Sequence, residues 1–317
     1  MTRETSGSDT TGPVREVAFV GLGRMGAPMA RLLSEAGYRV RGFDASGPTD
    51  IPGVGNAATA AEAATGADVI ILMLPDSTVV ESVLREAGVL DALAPGTVLL
   101  DMGSSEPGRT RVLGPEVAGR DAAMVDAPVS GGVRGARAGT LTIMVGGDDG
   151  SVARVRPLLE VLGRQVRHVG PAGAGHALKA INNLLSATHL LVTSEALLAG
   201  AEFGLDTEVM LEAINTSSGR SGSTERKWPD FVVGRGFDSG FGLRLMLKDM
   251  RIATGLAAST GHRSELGEEA VRLWARAAEE LPADADHTEI VRWLEQREDD
   301  TNGSTDTAHP GREQDEK

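Results

Sequence analysis

The chain has 317 residues, 41% of them hydrophobic and only 3% aromatic, and carries a formal net charge of −14. That length suits one large domain or two ordinary ones, with a core built from Ala, Leu, Val and Ile. The absence of cysteine excludes disulfides, thiolate zinc sites and cysteine nucleophiles. The acidic balance and the scarcity of aromatic stacking platforms argue against nucleic acid as a partner.

The opening segment, "MTRETSGSDTTGP", has no apolar h-region of the kind a secretory signal needs, and residues 1–13 read as a disordered lead. No stretch reaches roughly 18 apolar residues free of charge, so no membrane partner is expected and the expected location is cytoplasmic. Strand and helix patterns then alternate. "EVAFVG" is a short buried strand, "APMARLLSEAG" a helix stopped at a glycine, and "RVRGFD" a second strand. A helix around "AATAAEAATG", a strand "DVIILMLP", a helix "STVVESVLREAGVL" and a strand "TVLLDM" follow. Further strands are expected at "AAMVDAP", "TLTIMVGG" and "QVRHVG". The alternation predicts an α/β domain with a mainly parallel sheet over 14–172.

After Gly170 the character changes. "GHALKAINNLLSATHLLVTSEALLAGAEFG" reads as one long helix, and the remainder as helix and loop. The expected fold is thus a Rossmann-type dinucleotide-binding domain followed by an all-α domain, 173–297, built on that long interdomain helix. Residues 298–317 hold seven acids against two bases and read as a solvated, disordered tail.

Within "EVAFVGLGRMGAPMA", Gly21, Gly23 and Gly26 form a G-x-G-x-x-G pattern between a strand and a helix. This is the context that the dinucleotide fingerprint requires. The loop Gly21, Leu22, Gly23, Arg24, Met25 and Gly26 would bring bare backbone N–H groups and a helix N-terminus to a pyrophosphate. Asp44 ends the second strand at the spacing of the acid that binds the ribose hydroxyls. A carboxylate there disfavours a 2′-phosphate, so NAD is the expected cofactor, with NADP as the alternative. Two later strand ends, at Leu74–Pro75 and at Ser104, should face the same ligand.

A second glycine-rich turn, "VDAPVSGGVRGARAGTL", offers the Ser130 hydroxyl and the Gly131–Gly132 backbone. Such a nest suits a carboxylate, although a plain structural turn has the same composition. On the long helix, Lys179 and Asn183 are one turn apart, share a face, and lie among Ala177, Leu178, Ala180, Ile181, Leu184 and Leu185. A polar pair in such company is costly unless it lines a cavity. Burial favours the neutral amine, the form that accepts a proton. The alternative is a lysine that snorkels to the surface, and spacing alone does not choose between them. His168, His176 and His189 are scattered and lack a carboxylate cluster, so no metal site is expected.

The motifs "GLGRMGAPMA", "DAPVSGG" with "AGTL" behind it, "GHALKAINN" and "LMLKDM" stand in the order and spacing of the β-hydroxyacid dehydrogenases. The chain resembles this family, which includes 3-hydroxyisobutyrate dehydrogenase and tartronate semialdehyde reductase, from about residue 15 to about residue 296. The resemblance implies an NAD(P)-dependent oxidoreductase acting on a small carboxylate substrate, with Lys179 as catalytic acid/base and Asn183 binding substrate. It places the carboxylate on Ser130, Gly131 and Gly132, brings Lys248 of the "KD" pair toward the cofactor, and puts Ser104 at the position of a family threonine. It also implies a homodimer or homotetramer in which the long helix takes part. The related 6-phosphogluconate dehydrogenases carry His-Asn where Asn182-Asn183 stands, and imine reductases usually replace the lysine, so both are disfavoured. A non-catalytic NAD-binding scaffold is the alternative of another class. Many members carry an aromatic residue after "SSGRS", where this chain has Gly222, which implies a roomier pocket and a bulkier substrate than 3-hydroxyisobutyrate.

Overall fold

The computed structural model describes residues 12–303. The described chain forms two compact units that divide between Asn182 and Asn183. The first unit is built on strands β1 (Glu16–Val20), β2 (Arg39–Phe43), β3 (Val54–Asn56), β4 (Val69–Leu72), β5 (Val98–Asp101), β6 (Ala123–Asp126), β7 (Val129–Ser130), β8 (Leu141–Gly146) and β9 (Gly163–Gly170). They form one sheet in the order β3-β2-β1-β4-β5-β6-β8-β7, with β9 also paired to β8. The run from β3 to β6 is parallel, and β8 is antiparallel to β6.

Helices α1 (Gly26–Glu35), α2 (Ala60–Ala64), α3 (Ser77–Arg85), α4 (Val89–Ala92), α5 (Pro107–Ala118), α6 (Gly132–Ala138) and α7 (Asp149–Leu162) cover both faces. Strand periodicity explains the two covers. Val17, Phe19, Val69, Ile71, Val98 and Leu100 point to the face packed by α1, α6 and α7, through Met29, Leu33, Ala136, Val155 and Leu159. Ala18, Val20, Ile70, Leu72 and Leu99 point to the face packed by α2, α3, α4 and α5. Successive side chains of a strand alternate sides, so a strand buried on both faces must be apolar throughout. That is why these strands read as unbroken hydrophobic runs.

Helix α8 (Ala174–Glu202) is 29 residues long and continues from the first unit into the second. The second unit adds α9 (Thr207–Asn215), a π-helical segment (Ser223–Val233), α10 (Leu243–Ser259), α11 (Glu265–Glu280), a 3-10 turn (His287–Glu289) and α12 (Ile290–Gly303). Its core gathers Leu190 and Leu197 of α8 with Trp228, Met250, Trp274 and Trp293. Helix α12 runs on to Gly303, into the stretch 298–317 expected from sequence to be an unstructured tail. No Gly or Pro interrupts the chain before Gly303, so charge alone does not stop the helix. The rest of that tail, 304–317, and residues 1–11 of the expected disordered lead lie outside the described residues.

Helix α8 is apolar on more than its packed side. Leu178 (38% exposed), Ile181 (43%), Leu185 (54%) and Val192 (54%) repeat at helical spacing and form an exposed stripe. The most apolar 18-residue window of α8 has a mean hydropathy of 1.3, so by length and composition alone it would pass for a membrane-spanning segment.

Candidate active site

The strand order turns outward on either side of β1, the arrangement that places ligands beyond the carboxyl ends of the strands. The register aligns Val20 with both Phe43 and Leu72, and Asp101 with Leu72, so the expected nucleotide residues emerge along one edge. Gly21 N donates to Phe43 O at 2.9 Å, and Leu22 N donates to Asp44 Oδ2 at 2.7 Å. Asp44 Oδ1 accepts from Ser46 N at 2.9 Å and Ser46 Oγ at 2.5 Å. Burial pushes the Asp44 carboxyl up, but the bonds from Ser46 and Leu22 together outweigh it and leave the group below its ordinary value, ionised at neutral pH.

The loop fits a dinucleotide. A Cβ at Gly21 would lie 2.4 Å from Met73 O, and one at Gly26 would lie 1.9 Å from Gly21 O, so neither position admits a side chain. At Gly23, by contrast, nothing lies within 4 Å of the same point, which is the space an approaching pyrophosphate needs. Helix α1 has no side-chain N-cap and no acid in its first turn. Ala27 N donates to Gly23 O at 3.0 Å and Pro28 has no N–H, so what this terminus offers an anion is its positive dipole end, with no acid in the first turn to oppose it. The loop after β5 presses on the loop after β4, since a Cβ at Gly103 would lie 2.5 Å from Leu74 O, and Ser104 is the next residue of that loop.

On the adjoining edge, Ser130 ends β7, Gly131 caps α6 with φ 130°, and Gly132 opens that helix with φ 60°. Strand β6, which pairs with the far side of β8, ends at Asp126, a buried carboxylate to which the sequence alone assigns no role. Its Oδ1 accepts from Gly173 N at 2.6 Å and its Oδ2 from His176 N at 2.8 Å. Two leading amides of α8 are therefore satisfied by a strand end, which fixes where the long helix begins. Gly175 presses that first turn against the sheet, since a Cβ there would lie 2.3 Å from Met144 O. His176 is 1% exposed. Its Nδ1 lies 2.8 Å from Thr110 Oγ1, and its Nε2 lies 3.6 Å from Asp101 Oδ2. Asp101 itself accepts from Gly103 N at 2.9 Å and Ser105 Oγ at 2.7 Å. His176 is thus a buried strut between α8, α5 and β5.

One turn beyond this anchor stands Lys179, 9% exposed, and one turn further Asn183, 4% exposed. Lys179 does not snorkel. In the second unit, Asn183 Nδ2 donates to Asp249 Oδ2 at 2.6 Å, and Lys248 Nζ lies 3.2 Å from Asp249 Oδ1. An ionised carboxylate only accepts, so Asp249 forces the amide nitrogen of Asn183 toward itself and turns the carbonyl oxygen the other way. Asp249 is the second residue of the "KD" pair, of which sequence reading used only the lysine. Among the described residues, no group of three or more His, Cys, Asp or Glu side chains could hold a metal ion.

Residues 16–170 match the family model for the NAD binding domain of 6-phosphogluconate dehydrogenase, and residues 173–294 match that for the NAD-binding region of NADP-dependent 3-hydroxyisobutyrate dehydrogenase. The chain is 38% identical over 290 residues to an NAD-dependent L-serine dehydrogenase of Pseudomonas aeruginosa, covering 88% of this chain and 97% of that one. It is 41% identical over 243 residues to 2-(hydroxymethyl)glutarate dehydrogenase of Eubacterium barkeri, covering 75% and 81%. The structure of Mycobacterium tuberculosis 3-hydroxyisobutyrate dehydrogenase with L-serine superposes with a TM-score of 0.81 at 34% identity, covering 89% and 99%. Matches that span both halves at this identity, on a chain with this nucleotide loop and a buried lysine on α8, fix the assignment. The chain belongs to the 3-hydroxyisobutyrate dehydrogenase family, the β-hydroxyacid dehydrogenases, and is an NAD(P)-dependent oxidoreductase that acts on CH–OH.

Proposed function

We propose that the chain oxidises the hydroxyl of a small β-hydroxy acid to the corresponding semialdehyde, with NAD as cofactor and Lys179 as the general acid/base. The bound nicotinamide supplies the hydride acceptor. Lys179 takes the hydroxyl proton as the carbinol C–H bond breaks, and it returns that proton in reduction. Asn183, held at its nitrogen by Asp249, presents an oriented amide to the substrate. Ser130 and the Gly131–Gly132 backbone supply donors for the carboxylate. Holding the reactants in register is where most of the gain arises. The observation that carries this reading is the burial of Lys179 and Asn183 one turn apart on α8.

The ionised Asp44 supports NAD over NADP, because it would repel a 2′-phosphate. A panel of L-serine, 3-hydroxyisobutyrate and 2-(hydroxymethyl)glutarate with either nucleotide, followed at the reduced-cofactor absorbance, tests the assignment. Turnover of at least one acid with NAD is expected. Binding of NAD without turnover of any of them, or of their semialdehydes with NADH, would overturn it.

The exposed stripe Leu178, Ile181, Leu185 and Val192 supports a homo-oligomer in which a second copy covers α8. Light scattering after gel filtration is expected to give a dimer or tetramer.

A further inference from the structure

Outside the residues already given a role, the second unit carries a lysine that, among the described residues, has no carboxylate in direct contact. Lys227 lies partly buried on the π-helical segment. Its Nζ donates to Ser186 Oγ at 2.8 Å and Ser186 O at 3.1 Å, both neutral oxygens. Among the described residues, no carboxylate lies within 4.0 Å of that ammonium. The acid that acts on it, Asp286, already accepts from Ser239 Oγ, Gly240 N, Phe241 N, Thr288 N and Thr288 Oγ1. Burial pushes the lysine down to about 8, and the field of Asp286 only partly offsets this. Holding this ammonium charged away from water is unfavourable, and a ligand carboxylate would offset that cost.

The position of this ammonium says which ligand. Ser186 follows Asn183 by three residues and Lys179 by seven, so all three share one face of α8. Ser186 is about 10 Å along the axis from Lys179 at the helical rise. That span suits a hydroxyl at one end and an anion at the other, joined by a short aliphatic spacer, with a hydrogen bond of about 3 Å at each end. The segment bearing Lys227 is an 11-residue π-helix, a conformation that is rare and found mostly at functional sites. Gly222, exposed to solvent, caps its start five positions before Lys227.

We infer that Lys227 is a specificity-determining residue that binds a second carboxylate, so the favoured substrate is a β-hydroxy dicarboxylic acid rather than a monoacid. The inference rests on the proposed oxidation at Lys179 and adds the far end of the substrate. One lysine is a point charge with rotatable donors, suited to a single carboxylate oxygen rather than to a flat bidentate clamp.

The test compares 2-(hydroxymethyl)glutarate with 3-hydroxyisobutyrate in the wild type, Lys227→Met and Lys227→Arg, by kcat/KM with NAD. Calorimetry of glutarate binding to the NADH-loaded protein runs in parallel. The diacid should exceed the monoacid at least about 10-fold in the wild type. Lys227→Met should erase that ratio, mainly through KM, and Lys227→Arg should restore most of it. Glutarate binding should weaken at least about 10-fold in Lys227→Met. A wild type that prefers the monoacid, or a ratio unmoved by Lys227→Met, would overturn the inference while leaving the oxidation intact. If neither acid turns over, the oxidation fails, and calorimetry then decides: weakened glutarate binding in Lys227→Met upholds the anion site, and equal binding overturns it.

Discussion

Asp44 combines two tasks that are separable by substitution. It holds Leu22 N of the glycine loop and leaves a negative charge beside the expected ribose. Asp44→Ser should shrink the NAD-over-NADP ratio of kcat/KM by roughly 10-fold or more, as one charge repulsion and one charge-assisted hydrogen bond are lost. An unchanged ratio would show that another residue sets cofactor choice. Asp249→Ala should lower kcat/KM about 10-fold or more by freeing the Asn183 amide to rotate. The same change should leave NADH binding by fluorescence near the wild-type value. Lys227 adds a pH signature. Its folded pKa, about 8, lies below the 10.5 of an ordinary lysine. Below pH 8 both folded and unfolded forms are protonated, and the folded form carries the burial cost. Between 8 and 10.5 the unfolded form holds more protons, so stability rises with pH across that window. The groups facing it are Asp286 and, when protonated, His287. Lys227→Met should therefore raise the melting temperature of the ligand-free protein at pH 7 by a few degrees, for about 1–2 kcal/mol after solvent screening. A lower melting temperature would mean that the ammonium stabilises the fold by itself.

At the scale of elements, everything expected of the lysine depends on where α8 starts. Asp126 and Gly175 fix that start, one by accepting two leading amides and the other by admitting close contact with the sheet. Asp126→Ala would leave two buried N–H groups without an acceptor, at roughly 2–4 kcal/mol. Urea unfolding should register that loss. A change under about 0.5 kcal/mol would mean that neighbouring groups or water replace the carboxylate. These two residues show what a sequence displays and what it hides. The strands were legible because burial on both faces leaves no polar position in "VIIL" or "VLLD". The glycine loop was legible because Gly21 and Gly26 admit no other residue. Asp126 was not, because its partners, Gly173 and His176, lie 47 and 50 residues away and are backbone amides, which leave no mark in the sequence. Lys227 was silent for a related reason: its partner, Ser186, is neutral and 41 residues distant. Asp249 lay inside a motif already noticed, and only the structure shows that it bonds Asn183 rather than the cofactor side of the pair.

The whole chain combines a nucleotide-binding sheet with a helical unit, both threaded by α8. Both halves were readable from composition and period, because alternating strand and helix patterns give way to helix alone after Gly170. The exposed apolar stripe of α8 is the molecule's own argument for self-association. Leu185→Glu combined with Val192→Glu should yield a monomer in light scattering without altering NAD binding if the proposed self-association through this stripe holds, since a charge in an apolar interface is strongly unfavourable. The central claim, proton transfer by Lys179, is tested most directly by pre-steady-state reduction of bound NAD in Lys179→Ala alongside the wild type. The account predicts unchanged nucleotide affinity and a hydride-transfer rate lower by about 10²–10⁴-fold, the range for loss of a general acid/base. A rate within about threefold of the wild type would contradict it.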